Sequence, residues 1–344
     1  MPVSSQRDRR RVKPLVTLES VSKRFGTTPS LAARIASLLG ERRRPTSVQA
    51  VSDIDMRVDA GEVVGLVGES GCGKSTLARL VAGLHVPSDG RVRRAGVDLT
   101  EMTPTERRAA QLSVQMVFQD ATASLNPRMR VLDIVGEAPV AHGLVSAGAK
   151  RDYVADLLAR VSLGPDAMAR FPHQFSGGQR ARIGIARALA VQPKMLVLDE
   201  SVAALDVSIQ AQVLNLFLDL RRDLGLTYLF VSHDLGVIEH VATRVLVMYL
   251  GRIVEEAPVE ALFAAPAHPY TISLLAQTPR LVPSKRRFQG LVGEPPSPLA
   301  PPPGCAFHPR CAHAIARCRV ERPVLRSLAG ERHVACHLER SEFG

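Results

Sequence analysis

Lysine, hydroxyl and carboxylate side chains occur in this sequence at spacings that suit phosphate chemistry. Residues 68–76, GESGCGKST, have the pattern G-x-x-x-x-G-K-S/T, in which glycines let backbone N–H groups wrap a phosphate. Lys74 would bring positive charge to the β- and γ-phosphates, and the Ser75 hydroxyl would ligate Mg²⁺. The residues predicted to bind nucleotide are Gly68, Ser70, Gly71, Cys72, Gly73, Lys74, Ser75 and Thr76.

A pair of acidic residues follows a second apolar run. Asp199 and Glu200 come directly after residues 195–198, MLVL, so both would stand at the tip of a buried strand. There Asp199 could hold Mg²⁺ through water, and Glu200 could deprotonate an attacking water. A helix N-cap would also explain two acids at this point, but the phosphate loop favours catalysis.

The surrounding pattern predicts the elements that must position these residues. The apolar run 63–67 predicts a buried strand before the loop, and leucines at 77, 80 and 84 predict a helix after it. Alternating residues upstream predict antiparallel strands. Apolar residues at helical spacing predict that about 121–182 is mostly helical, and strands and helices alternate over 183–260. This order predicts an α/β fold.

Four further segments indicate to which class of phosphate-loop proteins the sequence is similar. Ser176, Gly177, Gly178 and Gln179 open a helix, and a helix N-terminus of this kind is a second anion site. Gln119 ends the apolar run MVFQ, Asp206 ends AALD, and His233 follows another strand-like run. In this order and spacing, the motifs resemble those of ABC-type ATPases over residues 16–260. The resemblance implies a P-loop ATPase core with an antiparallel β subdomain, a helical subdomain at about 121–182 and a small cysteine-containing C-terminal extension.

The resemblance also implies a role for each motif. Two nucleotide domains pair head to tail, and each ATP lies between the phosphate loop of one and the Ser-Gly-Gly-Gln signature of the other. Glu200 would be the general base and His233 would contact the γ-phosphate. Asp206 would lie at the dimer interface, and Phe25 would stack on adenine. Gln119 would couple Mg²⁺ and the attacking water to a transport partner. The implied magnesium residues are Ser75, Gln119 and Asp199.

Several segments resemble peptide and nickel permease ATPases more narrowly: ASLNPR, RFPHQFSGGQ and ALDVSIQ. The resemblance implies an ATP-hydrolysing subunit of an importer for di- or oligopeptides. Its expected partners are two integral membrane permease subunits, a second ABC ATPase of related sequence and an extracytoplasmic solute-binding protein, with no nucleic acid. No apolar run is long enough for a membrane helix, so we expect a peripheral subunit on the cytoplasmic face of the inner membrane.

Four of the five cysteines lie near the C-terminus, after a Pro-rich linker segment within 261–304. Cys305, Cys311, Cys318 and Cys336 have the spacing C-x5-C-x6-C-x17-C. Four thiolates satisfy a 4Fe–4S cluster or a tetrahedral zinc ion. The segment 305–344 resembles the C-terminal extension of oligopeptide permease ATPases, some of which hold 4Fe–4S, and this favours the cluster over zinc. Inert thiols or a conditional disulfide are the third possibility.

The charge of the chain allows a rival function. The formal net charge is +11 and the pI about 10, which would suit a soluble ABC ATPase acting on nucleic acid or the ribosome. The basic residues are scattered beyond a basic N-terminal arm at 1–15, and the absence of Trp leaves few platforms for stacking bases. A solvated basic surface is the simpler interpretation, and the permease-like segments favour transport.

Overall fold

The computed structural model describes residues 14–26, 47–119, 124–203, 205–277 and 293–339. Most of the basic arm at 1–15, most of the polar segment between the first two strands, and part of the ASLNPR region lie outside the described residues. The described strands are β1 (Pro14–Gly26), β2 (Ser47–Asp59), β3 (Val63–Val67), β4 (Asp89–Arg94), β5 (Val97–Asp98), β6 (Val114–Val117), β7 (Met195–Asp199), β8 (Thr227–Val231), β9 (Arg244–Tyr249), β10 (Arg252–Pro258), β11 (Arg326–Leu328) and β12 (Arg332–Val334).

The described α-helices connect these strands. They are α1 (Lys74–Ala82), α2 (Pro104–Leu112), α3 (Val131–Ala141), α4 (Lys150–Arg160), α5 (Gly177–Leu189), α6 (Val207–Leu224), α7 (Leu235–Val241), α8 (Val259–Ala264), α9 (Pro269–Ala276) and α10 (Ala316–Val320). Short 3₁₀ turns cover Pro165–Ala169, Pro172–Gln174 and His308–Arg310.

Two sheets organise the described chain. One is antiparallel with strand order β2-β1-β4-β5, and the other is mixed with order β11-β12-β10-β9-β3-β8-β7-β6. In the mixed sheet β9, β3, β8, β7 and β6 run parallel. The carboxyl ends of these strands therefore meet at one edge, where ligands bind in open α/β sheets. The expected α/β core with an antiparallel β part and a helical part is confirmed.

The parallel strands are buried on both faces, which explains their continuous apolar runs. Val63 and Val67 of β3 face a core shared with the helical part, whereas Val64 and Leu66 face a second core built with α1 and the antiparallel sheet. Every residue of β3, β7 and β8 is buried. This double burial holds the ends of the strands rigidly, and these ends carry the functional residues.

The helical part consists of α3, α4 and the start of α5. Val135, Val154 and Ile183, one from each helix, belong to the same buried core. Lys150 Nζ also donates to Asp133 Oδ1 at 2.7 Å, joining α4 to α3. The first two helices lie inside the segment predicted to be helical.

The cysteine lobe, which we define as residues 305–339, continues the main sheet. β12 pairs antiparallel with β10, with Glu255 opposite Val334, and β11 pairs with β12. The Ala335 N–H also donates to the Val254 carbonyl at 2.8 Å. The lobe is therefore hydrogen-bonded into the ATPase core through a shared sheet.

Candidate nucleotide site and cysteine lobe

The phosphate loop joins β3 to α1 and depends on glycine at two positions. Gly73 has φ +109°, and a Cβ there would lie 2.1 Å from the Ala50 carbonyl oxygen. Gly68 has φ +153°, and a Cβ there would lie 2.2 Å from the Met248 carbonyl oxygen. Any side chain at either position would collide with backbone, so the loop can pass between β2 and β9 only with glycine.

Lys74, the first residue of α1, is buried beneath this loop at 4% exposure. Its Nζ donates to the carbonyls of Gly68 at 2.8 Å and Glu69 at 3.0 Å. The loop borders a cavity of about 290 Å³. Its lining includes Ser70, Gly71, Cys72, Gly73, Lys74, Ser75, Thr76, Gln119 and Glu200. The structure thus brings most of the predicted phosphate-binding residues and two catalytic candidates around one space.

Ser75 and Asp199 meet at the floor of this site. The Ser75 hydroxyl donates to Asp199 Oδ1 at 2.9 Å. Burial raises the pKa of Asp199, and the Ser75 hydrogen bond opposes that rise. A hydroxyl and a carboxylate are hard oxygen donors of the kind Mg²⁺ prefers, so these residues fit the predicted magnesium site.

Glu200 follows β7 with φ +48°, a conformation that few non-glycine residues adopt. Its N–H donates to the Val231 carbonyl at 3.0 Å, which ties this turn to the end of β8. The side chain then meets two predicted partners: Gln119 Nε2 donates to Oε2 at 2.9 Å, and His233 Nδ1 lies 3.4 Å from Oε1. Gln119, Glu200 and His233, far apart in sequence, converge at the carboxyl ends of three strands.

The signature residues lie elsewhere. Ser176 caps α5, accepting from the Gln179 N–H at 3.3 Å while Gln179 Oε1 accepts from the Ser176 N–H at 3.1 Å. Gly178 is buried against Ile209 of α6, and Ser176 and Gly177 are exposed. Within the described part of the chain, the cavity lining includes none of the four. Their exposed helix N-terminus is free to face a nucleotide bound by another chain.

Asp206 and Phe25 are also exposed. Asp206 precedes α6 and is followed by Val207, whose 83% exposure is unusual for an apolar residue. Phe25 lies at the end of β1, edge-on to His85 with ring centroids 5.5 Å apart. It is not among the residues that line the cavity, and its stacking on adenine remains a prediction.

Several residues that line the cavity belong to none of the predicted motifs. Ala50 of β2 and Leu250 and Gly251 of the β9–β10 turn line the cavity, as does Pro298 from the Pro-rich segment. Backbone hydrogen bonds bring the first three residues to the cavity. The Ser52 N–H of β2 donates to the Gly251 carbonyl of the turn, and the Gly251 N–H donates to the Cys72 carbonyl of the phosphate loop. Only the compositional change near 298 could have drawn attention to the last.

The four lobe cysteines are free thiols that influence one another. Burial raises the pKa of Cys305 to about 11, and the other three cysteines add to that rise. The backbone N–H groups of Phe307, His313 and Leu338 lower the pKa values of Cys305, Cys311 and Cys336, respectively, and so oppose the rise caused by burial. Even so, among the residues described, no three His, Cys, Asp or Glu side chains are arranged as a metal-binding group.

Across the described ranges, every helix is too short or too polar to cross a bilayer.

A phosphate loop, a strand-end acid pair and a separate Ser-Gly-Gly-Gln helix on an α/β sheet define an ATPase of the ABC class. Comparison with known proteins agrees. Residues 51–203 match the family model described as ABC transporter, and residues 254–318 match that of the oligopeptide/dipeptide transporter C-terminal region. The chain belongs to the ATP-binding subunits of ABC transporters and is an ATPase that uses ATP and Mg²⁺.

The similar relatives carry related names. A probable peptide ABC transporter ATP-binding protein of Sinorhizobium fredii is 50% identical over 85% of this chain and 83% of its own. A di/tripeptide transport ATP-binding protein of Pseudomonas aeruginosa is 48% identical over 84% and 90%. These likenesses favour transport over the nucleic-acid or ribosome alternative.

Among solved structures, the chain resembles a dimeric ATP-binding cassette in a post-hydrolysis state, bound to ADP and Pi. The TM-score is 0.59 at 25% identity, covering 71% of this chain and 98% of that one.

Proposed function

We propose that this chain hydrolyses ATP to energise the import of di- or oligopeptides. The observation that carries hydrolysis is the convergence of Gln119, Glu200 and His233 beside the phosphate loop. The peptide substrate is supported by the names of the relatives and by the match at residues 254–318 to the C-terminal region of oligopeptide/dipeptide transporters.

The geometry supports a division of labour at the site. Lys74 exchanges its bonds to loop carbonyls for the β- and γ-phosphates. Ser75 and Asp199 would hold Mg²⁺, which would neutralise phosphate charge when bound. Gln119 and His233 fix the Glu200 carboxylate from two sides. Glu200 accepts the proton of the water that attacks the γ-phosphorus, as the bond to the ADP oxygen breaks and ADP and phosphate are released.

A complete site requires a second ATPase chain. The N-terminus of α5 offers backbone N–H groups and the positive end of a helix dipole, and it lies apart from the cavity of its own chain. Two chains paired head to tail would place this helix end, Asp206 and the exposed Val207 against the partner's nucleotide. We propose a related second ATPase as that partner.

The remaining partners follow from the transport role. We propose that residues 16–260 form the ATPase domain and that its helical part, about 121–182, contacts two integral membrane permease subunits. An extracytoplasmic solute-binding protein would deliver the peptide. This arrangement places the chain as a peripheral subunit on the cytoplasmic face of the inner membrane.

The decisive test of hydrolysis replaces the proposed base. In the assembled transporter, Glu200→Gln should lower ATPase activity by about 10²–10⁴-fold while ATP binding is kept, because the amide preserves size but accepts no proton. The matched control is Glu239→Gln, an exposed residue of α7. Peptide uptake should be lost with Glu200→Gln only. Full ATPase activity in that variant would refute the assignment.

For the cysteine lobe we propose a 4Fe–4S cluster on Cys305, Cys311, Cys318 and Cys336, with zinc as the alternative. Four free thiols support it, and so do nearby backbone N–H groups that lower the pKa values of Cys305, Cys311 and Cys336 and thereby favour the thiolates that clusters require. Because the described side chains do not form a metal-binding group here, the four cysteines would have to rearrange to hold the cluster.

Anaerobic purification, a visible absorption spectrum and analysis for iron, sulfide and zinc would test this assignment. Iron with sulfide and broad visible absorbance supports the cluster, and colourless protein with stoichiometric zinc supports the alternative. Whichever of the two is found, cluster or zinc, should be absent from Cys311→Ser and present in the control Cys72→Ser. Metal-free protein would refute both.

A further inference from the structure

Glu69, the second residue of the phosphate loop, is held by three side chains at once. Its carbonyl accepts from Lys74 Nζ at 3.0 Å, and its N–H donates to the Tyr270 hydroxyl at 2.8 Å. Its carboxylate accepts both arms of the Arg310 guanidinium, NH1 to Oε2 at 2.7 Å and NH2 to Oε1 at 3.0 Å. The loop is therefore fixed at its entrance from backbone and side chain alike.

Two of these three anchors come from far along the chain. Tyr270 lies in α9, and Arg310 lies in the turn between Cys305 and Cys311, 241 residues from Glu69. Phe307 in the same turn packs against Tyr249 and Tyr270, with ring centroids 5.3 and 5.5 Å apart. The cysteine lobe thus reaches the ATP site through an aromatic cluster and one ion pair.

The Arg310–Glu69 pair differs from the exposed ion pairs on the surface. The Arg310 side chain is 4% exposed and that of Glu69 is 24% exposed. The guanidinium also lies over the Tyr249 ring, 6.0 Å from its centroid. A bidentate, largely dehydrated pair of this kind fixes geometry as well as charge.

The negative charge of Glu69 is the reason why the Arg310–Glu69 pair should affect nucleotide binding. Glu69 is not among the residues that line the cavity, but it belongs to the loop that would cradle phosphate, and a negative charge on that loop would repel the several negative charges of ATP. Arg310 neutralises that carboxylate through the bidentate pair. Without Arg310, Glu69 would be free to move and would present an unpaired negative charge beside the site.

We propose that Arg310 is a positioning residue of the ATP site, through which the cysteine lobe sets nucleotide affinity. The inference rests on the proposed function of the loop as an ATP cradle. Arg310 acts through Glu69 and touches no reacting atom, so its loss should weaken nucleotide binding and leave the chemical step at Glu200 intact.

The experiment compares Arg310→Gln with a double variant of the full chain by titration with trinitrophenyl-ATP. Because charged residues in contact are energetically coupled, Arg310→Gln should raise Kd by about tenfold, which corresponds to about 1.4 kcal/mol. In the assembled transporter it should raise KM for ATP by a similar factor, with kcat within about twofold. Glu69→Gln/Arg310→Gln removes both charges and should return Kd to within about threefold of wild type.

Arg317→Gln is the matched control, since it removes the same charge from an exposed pair with Glu321 in the same lobe. Its Kd should match wild type. An unchanged Kd in Arg310→Gln would overturn the proposal. So would a raised Kd that the double variant fails to recover, because the lobe would then act only by supporting the fold. A wild-type chain that binds no nucleotide would instead overturn the proposed function on which the inference rests.

Discussion

Cys72 shows how one position in the phosphate loop is decided by its surroundings. If Cys72 faced the nucleotide as a thiolate, it would be an obvious target for alkylation. Cys72 is only 6% exposed, however, and burial raises the pKa of its thiol, although nearby Lys74 opposes the rise. The reactive thiolate is therefore scarce at neutral pH.

We predict that N-ethylmaleimide at pH 7.5 modifies Cys72 at least about tenfold more slowly than free cysteine. Mass spectrometry of digested samples over time measures the rate. Cys72→Ala should bind ATP normally, so any inactivation of that variant by the reagent must come from the cysteine lobe. Rapid labelling of Cys72 with parallel loss of ATP binding would contradict this prediction.

At the scale of elements, the start of α9 joins the ATPase core to the cysteine lobe. His268, 1% exposed, caps this helix by accepting from the Tyr270 N–H at its Nδ1, 3.0 Å away. Burial lowers the pKa of His268 from 6.5 to about 4, and a hydrogen bond to the Ala335 backbone opposes the shift. The buried ring is therefore neutral at physiological pH.

This shift predicts a pH-dependent stability. As pH falls from 6.5 towards 4, the unfolded chain protonates His268 before the folded chain does, so folding loses up to about 3 kcal/mol. Glu255, whose pKa burial raises, contributes with the opposite sign in the same region. His268→Asn keeps a capping oxygen but cannot titrate, and Glu255 is unchanged in it.

Urea unfolding at several pH values would measure the effect. The loss of stability between pH 7 and 4.5 should be smaller in His268→Asn than in wild type, even though the variant starts from a lower stability. Parallel pH profiles would show that His268 does not carry the dependence.

At the scale of the whole molecule, the exposed N-terminus of α5 predicts that binding and hydrolysis can be separated. Ser176→Arg should leave trinitrophenyl-ATP binding by the single chain within about twofold, because the residue is outside the cavity lining. ATPase activity of the assembled transporter should fall by at least about tenfold, since one oriented contact to a phosphate supplies a factor of this size.

Ser327→Arg introduces the same side chain at an exposed position of β11, outside the helical part, and should affect neither measurement. If Ser176→Arg weakened binding by the single chain as much as it lowered turnover, the signature would act within its own chain, and the head-to-tail arrangement would be wrong.

The sequence alone determined the class of the protein and predicted much of its candidate site. The phosphate loop, Asp199-Glu200 and the signature are local motifs whose chemistry depends on residue type and short spacing, and continuous apolar runs predicted the buried strands around them. The family and the ABC fold, both confirmed, could be predicted because these motifs are recognised without knowledge of long-range contacts.

Only the tertiary structure decided which residues meet. Residues 119, 200 and 233 converge because parallel strands end at one sheet edge, and strand order cannot be read from local pattern. Arg310 and Tyr270 reach Glu69 because β12 pairs with β10 and an aromatic cluster seats the turn between two cysteines. Such contacts span hundreds of residues and follow from packing, so a cysteine lobe that composition marked as a separate segment proves to be attached to the phosphate loop.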